Sequence, residues 1–358
     1  MSRATAATIH LDALRGNLAA VRRLAPASRV LAVVKADGYG HGLERVAMAL
    51  EGADAFGVAA LSDAERLRAA GLSQRIVLLS GFDEPADLAQ LRRLRVDTVV
   101  HHDSQLRMLE ADGGGQPLRV WLKIDSGMHR LGFAPEEAAS AHGRLRQLAG
   151  VDPDIVLMTH LARSDEFGEP TTTRQRQCFE QAVAALPGPR SLANSAAVLG
   201  WPDTHADWIR VGGALYGLSA VAGQPGSRFG LAPAMTLSTR LVAVKQIAAG
   251  EPIGYGGAFT ASRAMRIGIA AIGYGDGYPR VVPSGTPVLV GERRVATVGR
   301  VSMDLLAVDL RNAPEARTGD PVVLWGRGLP VEEIAEAAGT IGYELTCGIT
   351  RRVRFIED

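Results

Sequence analysis

Cysteine is almost missing: Cys178 and Cys347 are the only two in 358 residues, and they lie far apart in the chain. Two such cysteines build neither a disulfide framework nor a CxxC metal site, and a reducing compartment is expected. No sign of charge prevails. Lys plus Arg number 39 against 38 Asp plus Glu, a formal net charge of +1. The electrostatic footprint of a nucleic-acid or anionic-membrane binder is therefore lacking. No stretch is long and apolar enough to span a bilayer. The opening MSRATAATIHLDALRGNLAAVRRLA has no uninterrupted apolar core of signal-peptide type. The expectation is a cytoplasmic protein with no membrane or nucleic-acid partner and no metal. Low-complexity regions and charge blocks are also absent.

What remains is an ordinary globular composition, 47% hydrophobic and 22% charged. The length calls for two domains unless one is a large barrel. From residue 11 two textures alternate. LDALRGNLAAVRRLA spaces Leu14, Leu18 and Val21 as a helix does, and VLAVV is a short apolar run suited to a parallel sheet. The Ser62–Glu65 stretch SDAE reads as a capping box ahead of RLRAAG. Strand-like runs begin near residues 30, 55, 76, 96, 118, 154, 191 and 208. Eight strand–helix units predict a TIM (β/α)8 barrel over residues 1–228. A doubly wound open sheet is the alternative, but no GxGxxG follows the first strand. Beyond about residue 228 the runs turn β-branched, as in MRIGIAAIGYG and TPVLVGERRVATVG, with VEEIAEAAG the one good helix. Residues 229–358 are thus expected to form a mainly β domain.

Barrel active sites sit at the C-terminal ends of the strands. There the first strand runs into VLAVVKADGYGHG, placing Lys35 before a glycine-punctuated stretch that looks flexible. Such a lysine often just meets water. A P-loop is excluded by order, since its lysine follows the glycines. The remaining possibility is a Schiff-base lysine activated by partial burial. Other strand ends carry Lys123, Asp125 and Arg130, then His160, then Asn194 and Ser195, then Arg210, Gly212 and Gly213. Taken singly, each has an unremarkable explanation as a core histidine, a surface arginine or a turn glycine. Together they put cations opposite a phosphate cradle of free backbone N–H groups, formed by Ser195, Gly212 and Gly213. That combination points to pyridoxal phosphate or a sugar-phosphate Schiff base.

The series AVVKADGYGHG, KIDSGMHRLG, MTHLARSDE, ANSAA, IRVGGALYG, IGYGDGYPR, VGRVSMD and IGYEL spans nearly the whole chain. It resembles, in order, the motifs of the alanine racemases, fold-type III pyridoxal-phosphate enzymes. The resemblance implies that Lys35 binds the cofactor covalently and that Lys35 and Tyr274 are bases on opposite faces of the substrate α-carbon. Tyr274 needs tuning, because a tyrosine ordinarily titrates near ~10, and His160 beside Arg210 resembles the tuning relay. Without the resemblance, Tyr274 reads as a core tyrosine of the β domain. Arg210 matches the partner of the pyridine nitrogen. Tyr39, Ser195, Gly212, Gly213 and Tyr343 match phosphate contacts. Arg130 and Met303 match residues that hold the substrate carboxylate, and Lys123 matches a lysine often carried as a carbamate. The family's head-to-tail homodimer implies that residues 229–358 supply Tyr274 and Met303 to a partner's site. Departures are small: Asp37 where some relatives have Asn, Ser302 where Cys is frequent, and IHLD at residues 9–12. Competing expectations are a racemase of serine, lysine or broader specificity, a basic amino-acid decarboxylase, a non-catalytic pyridoxal-phosphate-binding protein, and a lysine-dependent aldolase.

Overall fold

The structure, a computed structural model, describes residues 4–358. The chain divides into two compact units. One holds Arg15–Leu215 and Ser219–Gln224; the other holds the residues up to Leu14, Tyr216–Leu218 and Pro225–Asp358. The strand Ala6–Ile9 (β1) belongs to the second unit, because it pairs antiparallel with the long strand Met235–Ile247 (β10) and parallel with Arg354–Glu357 (β18). The sequence reading had placed everything up to residue 228 in the barrel. Four residues of strand pattern say nothing of a partner more than 200 positions away.

The first unit is a closed parallel barrel of eight strands. They are Arg29–Val33 (β2), Ala55–Val58 (β3), Arg75–Leu78 (β4), Val96–Val100 (β5), Val120–Lys123 (β6), Val156–Met158 (β7), Arg190–Ser191 (β8) and Trp208–Val211 (β9). Helices Leu43–Ala49, Leu61–Ala69, Pro85–Leu94, Asp103–Ala111, Ala138–Arg146, Thr171–Ala182 and Ser195–Gly200 connect them in turn. The capping box expected at Ser62–Glu65 is not formed. Helix Leu61–Ala69 starts earlier, at an Ala60 cap with no side-chain bond, so Ser62 already lies inside the first turn. A one-sided cap does occur one helix on, where Asp87 Oδ2 accepts from Glu84 N at 3.2 Å and Pro85 opens the helix.

Alternate residues of each strand face the barrel interior. The interior core is Leu31, Val33, Ala55, Val77, Val99, Trp121, Val156, Met158 and Trp208. One step of two toward the N-terminal ends, the same pattern reaches Arg29, Arg75, Asp97 and Arg119. Asp97 is 4% exposed. It pairs with Arg75 Nε at 2.7 Å and accepts from Trp121 Nε1 at 3.2 Å. The Arg29 and Arg75 guanidiniums lie over the Trp208 ring, at 4.3 and 5.6 Å from its centroid.

The second unit carries an eight-stranded sheet. Its further strands are Met265–Ala270 (β13), Pro287–Val290 (β14), Arg293–Val298 (β15), Leu306–Asp309 (β16) and Pro321–Trp325 (β17), and Pro252–Ile253 (β11) and Phe259–Thr260 (β12) pair as a separate two-stranded ribbon. The order is β13-β16-β15-β14-β17-β10-β1-β18, and a β13–β10 pairing closes six of the strands into a ring. Helix Val331–Ala338 is the one the sequence announced; a second, Gly342–Cys347, is too short to show a period.

Burial pushes the Asp97 carboxyl up to about 6, against the pull of Arg75 and the Trp121 hydrogen bond. A carboxyl raised in the folded state favours folding most while it is protonated. That contribution is lost as pH rises from the unfolded value through 6, by at most about 3 kcal/mol. Thermal unfolding of the chain and of Asp97→Asn between pH 4 and 7 should therefore converge toward, or cross in favour of, the variant as pH rises. A parallel pair of curves would contradict this.

Candidate active site

One step of two toward the C-terminal ends, the interior pattern changes again. Val33 leads to Lys35, Val99 to His101, Trp121 to Lys123, Met158 to His160 and Trp208 to Arg210. The alternation that fills the barrel with apolar groups thus lines its mouth with basic ones. Lys123 is 6% and Arg210 4% exposed. Lys35 is exposed at the end of its strand, so the partial burial expected for it is not supplied by this chain; instead its charge is felt by both Lys123 and His160.

Arg210 is held from several sides. Its Nη1 donates to Ser191 O and Oγ at 3.0 and 2.7 Å, and its Nη2 to Thr159 O at 2.6 Å and Leu192 O at 3.2 Å. Burial lowers it to about 10, so it stays charged at neutral pH. The same Nη2 lies 3.4 Å from His160 Nδ1. A guanidinium only donates, so Nδ1 accepts and the ring proton sits on Nε2. Burial, followed by the charges of Arg210, Lys123, Arg130 and Lys35, holds His160 well below the usual histidine range. It is a neutral Nε2–H donor. Lys123 is lowered to about 8 by burial and by Arg210 and Arg130, with Asp125 opposing. Asp125 Oδ1 gathers the backbone N–H groups of Gly127, Met128 and His129 at 2.9–3.0 Å, shaping the loop that carries Arg130.

Lys35 opens a left-handed turn. Ala36, Asp37 and Tyr39 have φ of 55°, 52° and 53°, and Gly38 has φ of 62°. Only Gly38 adopts this without steric cost; each of the others loses ~1–2 kcal/mol. The stretch read as flexible is closely tied. Gly38 N donates to Val34 O, Gly40 N to Ala36 O and Gly42 N to Asp37 O, at 2.8–3.0 Å. His41, fully buried, donates from Nδ1 to Tyr39 O at 2.9 Å. Strain of this kind collects at functional sites, where the surroundings enforce it.

The turn delivers Tyr39 to Gly212. A Cβ on Gly212 would fall 2.3 Å from the Tyr39 hydroxyl, so a larger residue there would push Tyr39 aside. Ser195 Oγ accepts from Gly212 N at 3.0 Å and Ala214 N at 3.3 Å. With both acceptor sites used, its hydroxyl can still donate its proton. Two short helical segments, Ser195–Gly200 and Gly213–Tyr216, begin here. Hydroxyls, helix starts and surrounding cations fit a phosphate-bearing cofactor with a carbonyl for Lys35.

Tyr274, Met303 and Tyr343 belong to the β-rich unit. Tyr274 is 39% exposed, which disposes of a core role, and Met303 is 51% exposed. They are neighbours, because Tyr274 N donates to Ser302 O and Gly275 N to Met303 O. Tyr343 lies in helix Gly342–Cys347. Two supports escaped sequence reading. Gln175 binds His160 O and Ala162 N, fixing the loop after β7. His101, beside Lys123 in register, contacts Ser80 O at 3.1 Å. Extending the alternation by one step would have found His101; nothing local marks Gln175.

Known proteins share this chain's sequence and fold. Residues 9–220 match the alanine racemase N-terminal domain and 234–357 the C-terminal domain. The chain is 54% identical to the alanine racemase of Shewanella loihica and 52% to that of Shewanella oneidensis, each over 97% of both chains. It superposes on the crystal structure of the biosynthetic alanine racemase of Pseudomonas aeruginosa with a TM-score of 0.97, at 48% identity over 99% of both chains. It also superposes on that of Bartonella henselae, which has covalently bound pyridoxal phosphate, with a TM-score of 0.89, at 25% identity over 99% of both. The chain belongs to the alanine racemase family.

Proposed function

We propose that Lys35 and Tyr274 are the two proton carriers with which this chain, a pyridoxal-phosphate-dependent alanine racemase, interconverts L- and D-alanine. The observation that carries the reading is the ring of Lys35, Lys123, His160 and Arg210 at the barrel mouth, facing the Tyr39–Ser195–Gly212 cradle. Bound through Lys35, the cofactor supplies an electron sink for the pair left when the α-proton departs.

The chain's own groups do the rest. Tyr39, Ser195, Gly212, Gly213 and Tyr343 would hold the phosphate, and Arg210 would be the partner of the pyridine nitrogen. A guanidinium held at about 10 cannot take a proton from that nitrogen. Arg210 would thus leave that nitrogen unprotonated and keep the cofactor a moderate electron sink. Arg130 and Met303 hold the substrate carboxylate. In one direction Tyr274 removes the α-proton and Lys35 delivers one to the opposite face; in the other the roles reverse. His160, neutral with its proton on Nε2, is suited to stabilise a tyrosinate at Tyr274. Lys123 carries a carbamate, which replaces the repulsion of two cations with a charge-assisted pair to Arg130.

The exposed Tyr274 and Met303 side chains support a site shared between the subunits of a cytoplasmic homodimer, the residues after 228 serving the partner's barrel. Two-fold closure would make such a contact twice.

Borohydride reduction of the cofactor-loaded enzyme should fix the label on Lys35. Peptide mapping to Lys123 or Lys245 would overturn the assignment. Lys35→Ala and Tyr274→Phe homodimers, unfolded together and refolded as a mixture, should regain activity well above either parent, since one site of each mixed dimer is intact. Mixed dimers that form yet stay at parental activity would show that the site is not shared.

A further inference from the structure

Arg66 takes no part in the site as described, yet it is tied to the turn that carries Lys35. It projects from helix Leu61–Ala69, the helix after the second barrel strand. Its Nε and Nη2 grip both oxygens of Glu44 at 2.7 and 2.8 Å. The same Nη2 reaches Asp37 Oδ1 at 2.8 Å, and Nη1 lies 3.8 Å from Asp63. A fork spread over several carboxylates is the arrangement for which arginine, and not lysine, is shaped.

Asp37 is where this grip acts. It sits at φ 52°, ψ 49°, in the middle of the left-handed run. Its carbonyl accepts from Gly42 N at 2.8 Å and its Oδ1 from Leu43 N at 3.2 Å. One residue thus joins the strained turn to the start of helix Leu43–Ala49 and, through Arg66, to the neighbouring helix. Lys35 lies on one side of it and Tyr39 on the other. Were Asp37 to relax to an ordinary φ, the covalent anchor and the phosphate contact would change their relative orientation. Backbone bonds and His41 also tie the turn, and Arg66 adds a grip supplied from a different barrel unit.

We propose that Arg66 is a positioning residue for the cofactor: by bridging Glu44 and Asp37 it holds the left-handed turn in the form that presents Lys35 and Tyr39 together. This rests on the reading of Lys35 and Tyr39 as cofactor contacts. The Arg66 and Asp37 side chains are 43% and 56% exposed. As a plain surface pair they would do little for stability. Their effect is expected on capture of the cofactor, because strain released at Asp37 displaces both contacts.

The test measures the cofactor dissociation constant by absorbance titration, together with kcat, KM for alanine and the melting temperature. The variants are Arg66→Ala, Arg66→Lys, Asp37→Ala and the Asp37→Ala/Arg66→Ala double. Each alanine variant should weaken cofactor binding about fivefold or more and lower kcat, while KM and melting temperature change little. Arg66→Lys, which keeps the charge and loses the fork, should fall between. Two residues acting as one clasp should be non-additive, the double variant binding no more weakly than the worse single within about twofold. If Arg66→Ala does not fold, Asp37→Ala and Arg66→Lys carry the same comparison. Unchanged cofactor affinity in folded variants, a fall in melting temperature alone, or additive losses would each overturn the proposal. Borohydride mapping of the parent separates the two failures. A label on Lys35 with unchanged affinity sinks the clasp only, whereas a label elsewhere sinks the reading beneath it.

Discussion

Like charges brought together in a protein interior require compensation, and this condition governs the barrel mouth. Lys123 and Arg210 are buried there, and both they and Lys35 act electrostatically on His160. Asp125 is the acidic group that acts on Lys123 from nearby, and its Oδ1 already takes three backbone N–H groups. A few ångströms of partly dry space make each repulsion worth several times its value in water. Burial first, and then these repulsions, hold His160 neutral and bring Lys123 down to about 8, while burial brings Arg210 down to about 10, yet still charged. Any anion bound at the mouth would relieve such a field.

The same two-residue period makes core, site and base. Its middle steps supply the apolar barrel filling, one step further the mouth, and one step back the Arg75–Asp97 pair under Trp121. The first strand then adds something that periodicity cannot give, a left-handed turn through three non-glycine residues. Its strain is held by backbone bonds, by buried His41 and by the Asp37 side chain. Rigidity gained this way orients Lys35 on one side and Tyr39 on the other, against a Gly212 that leaves no space to spare.

Much of this was legible. Parallel strands buried on both faces read as apolar runs, so the eight barrel strands begin within about two residues of their expected starts. Strand ends showed where Lys35, Lys123, His160, Ser195 and Arg210 would gather, since barrel chemistry sits there. The turn was illegible because glycines 38, 40 and 42 announce positive φ, while Ala36, Asp37 and Tyr39 do not. Strand β1 went to the wrong unit because pairing with β10 and β18 is non-local. Tyr274 is a different case. Its pattern alone reads as sheet core, and only the motif series drew attention to a side chain that is in fact 39% exposed.

Lys123 is where the charge argument is most exposed to refutation. An amine brought down to about 8, by burial first and by Arg210 and Arg130 after it, is neutral often enough near neutral pH to add carbon dioxide, and the resulting anion relieves the repulsive part of that shift. The direct measurement is carbon-13 NMR of the cofactor-loaded enzyme equilibrated with labelled bicarbonate. The account predicts one protein-bound carbamate resonance, missing from Lys123→Ala and fading as acid protonates the amine. A spectrum of the intact enzyme without that resonance, at a pH where Lys123 is largely neutral, would contradict it.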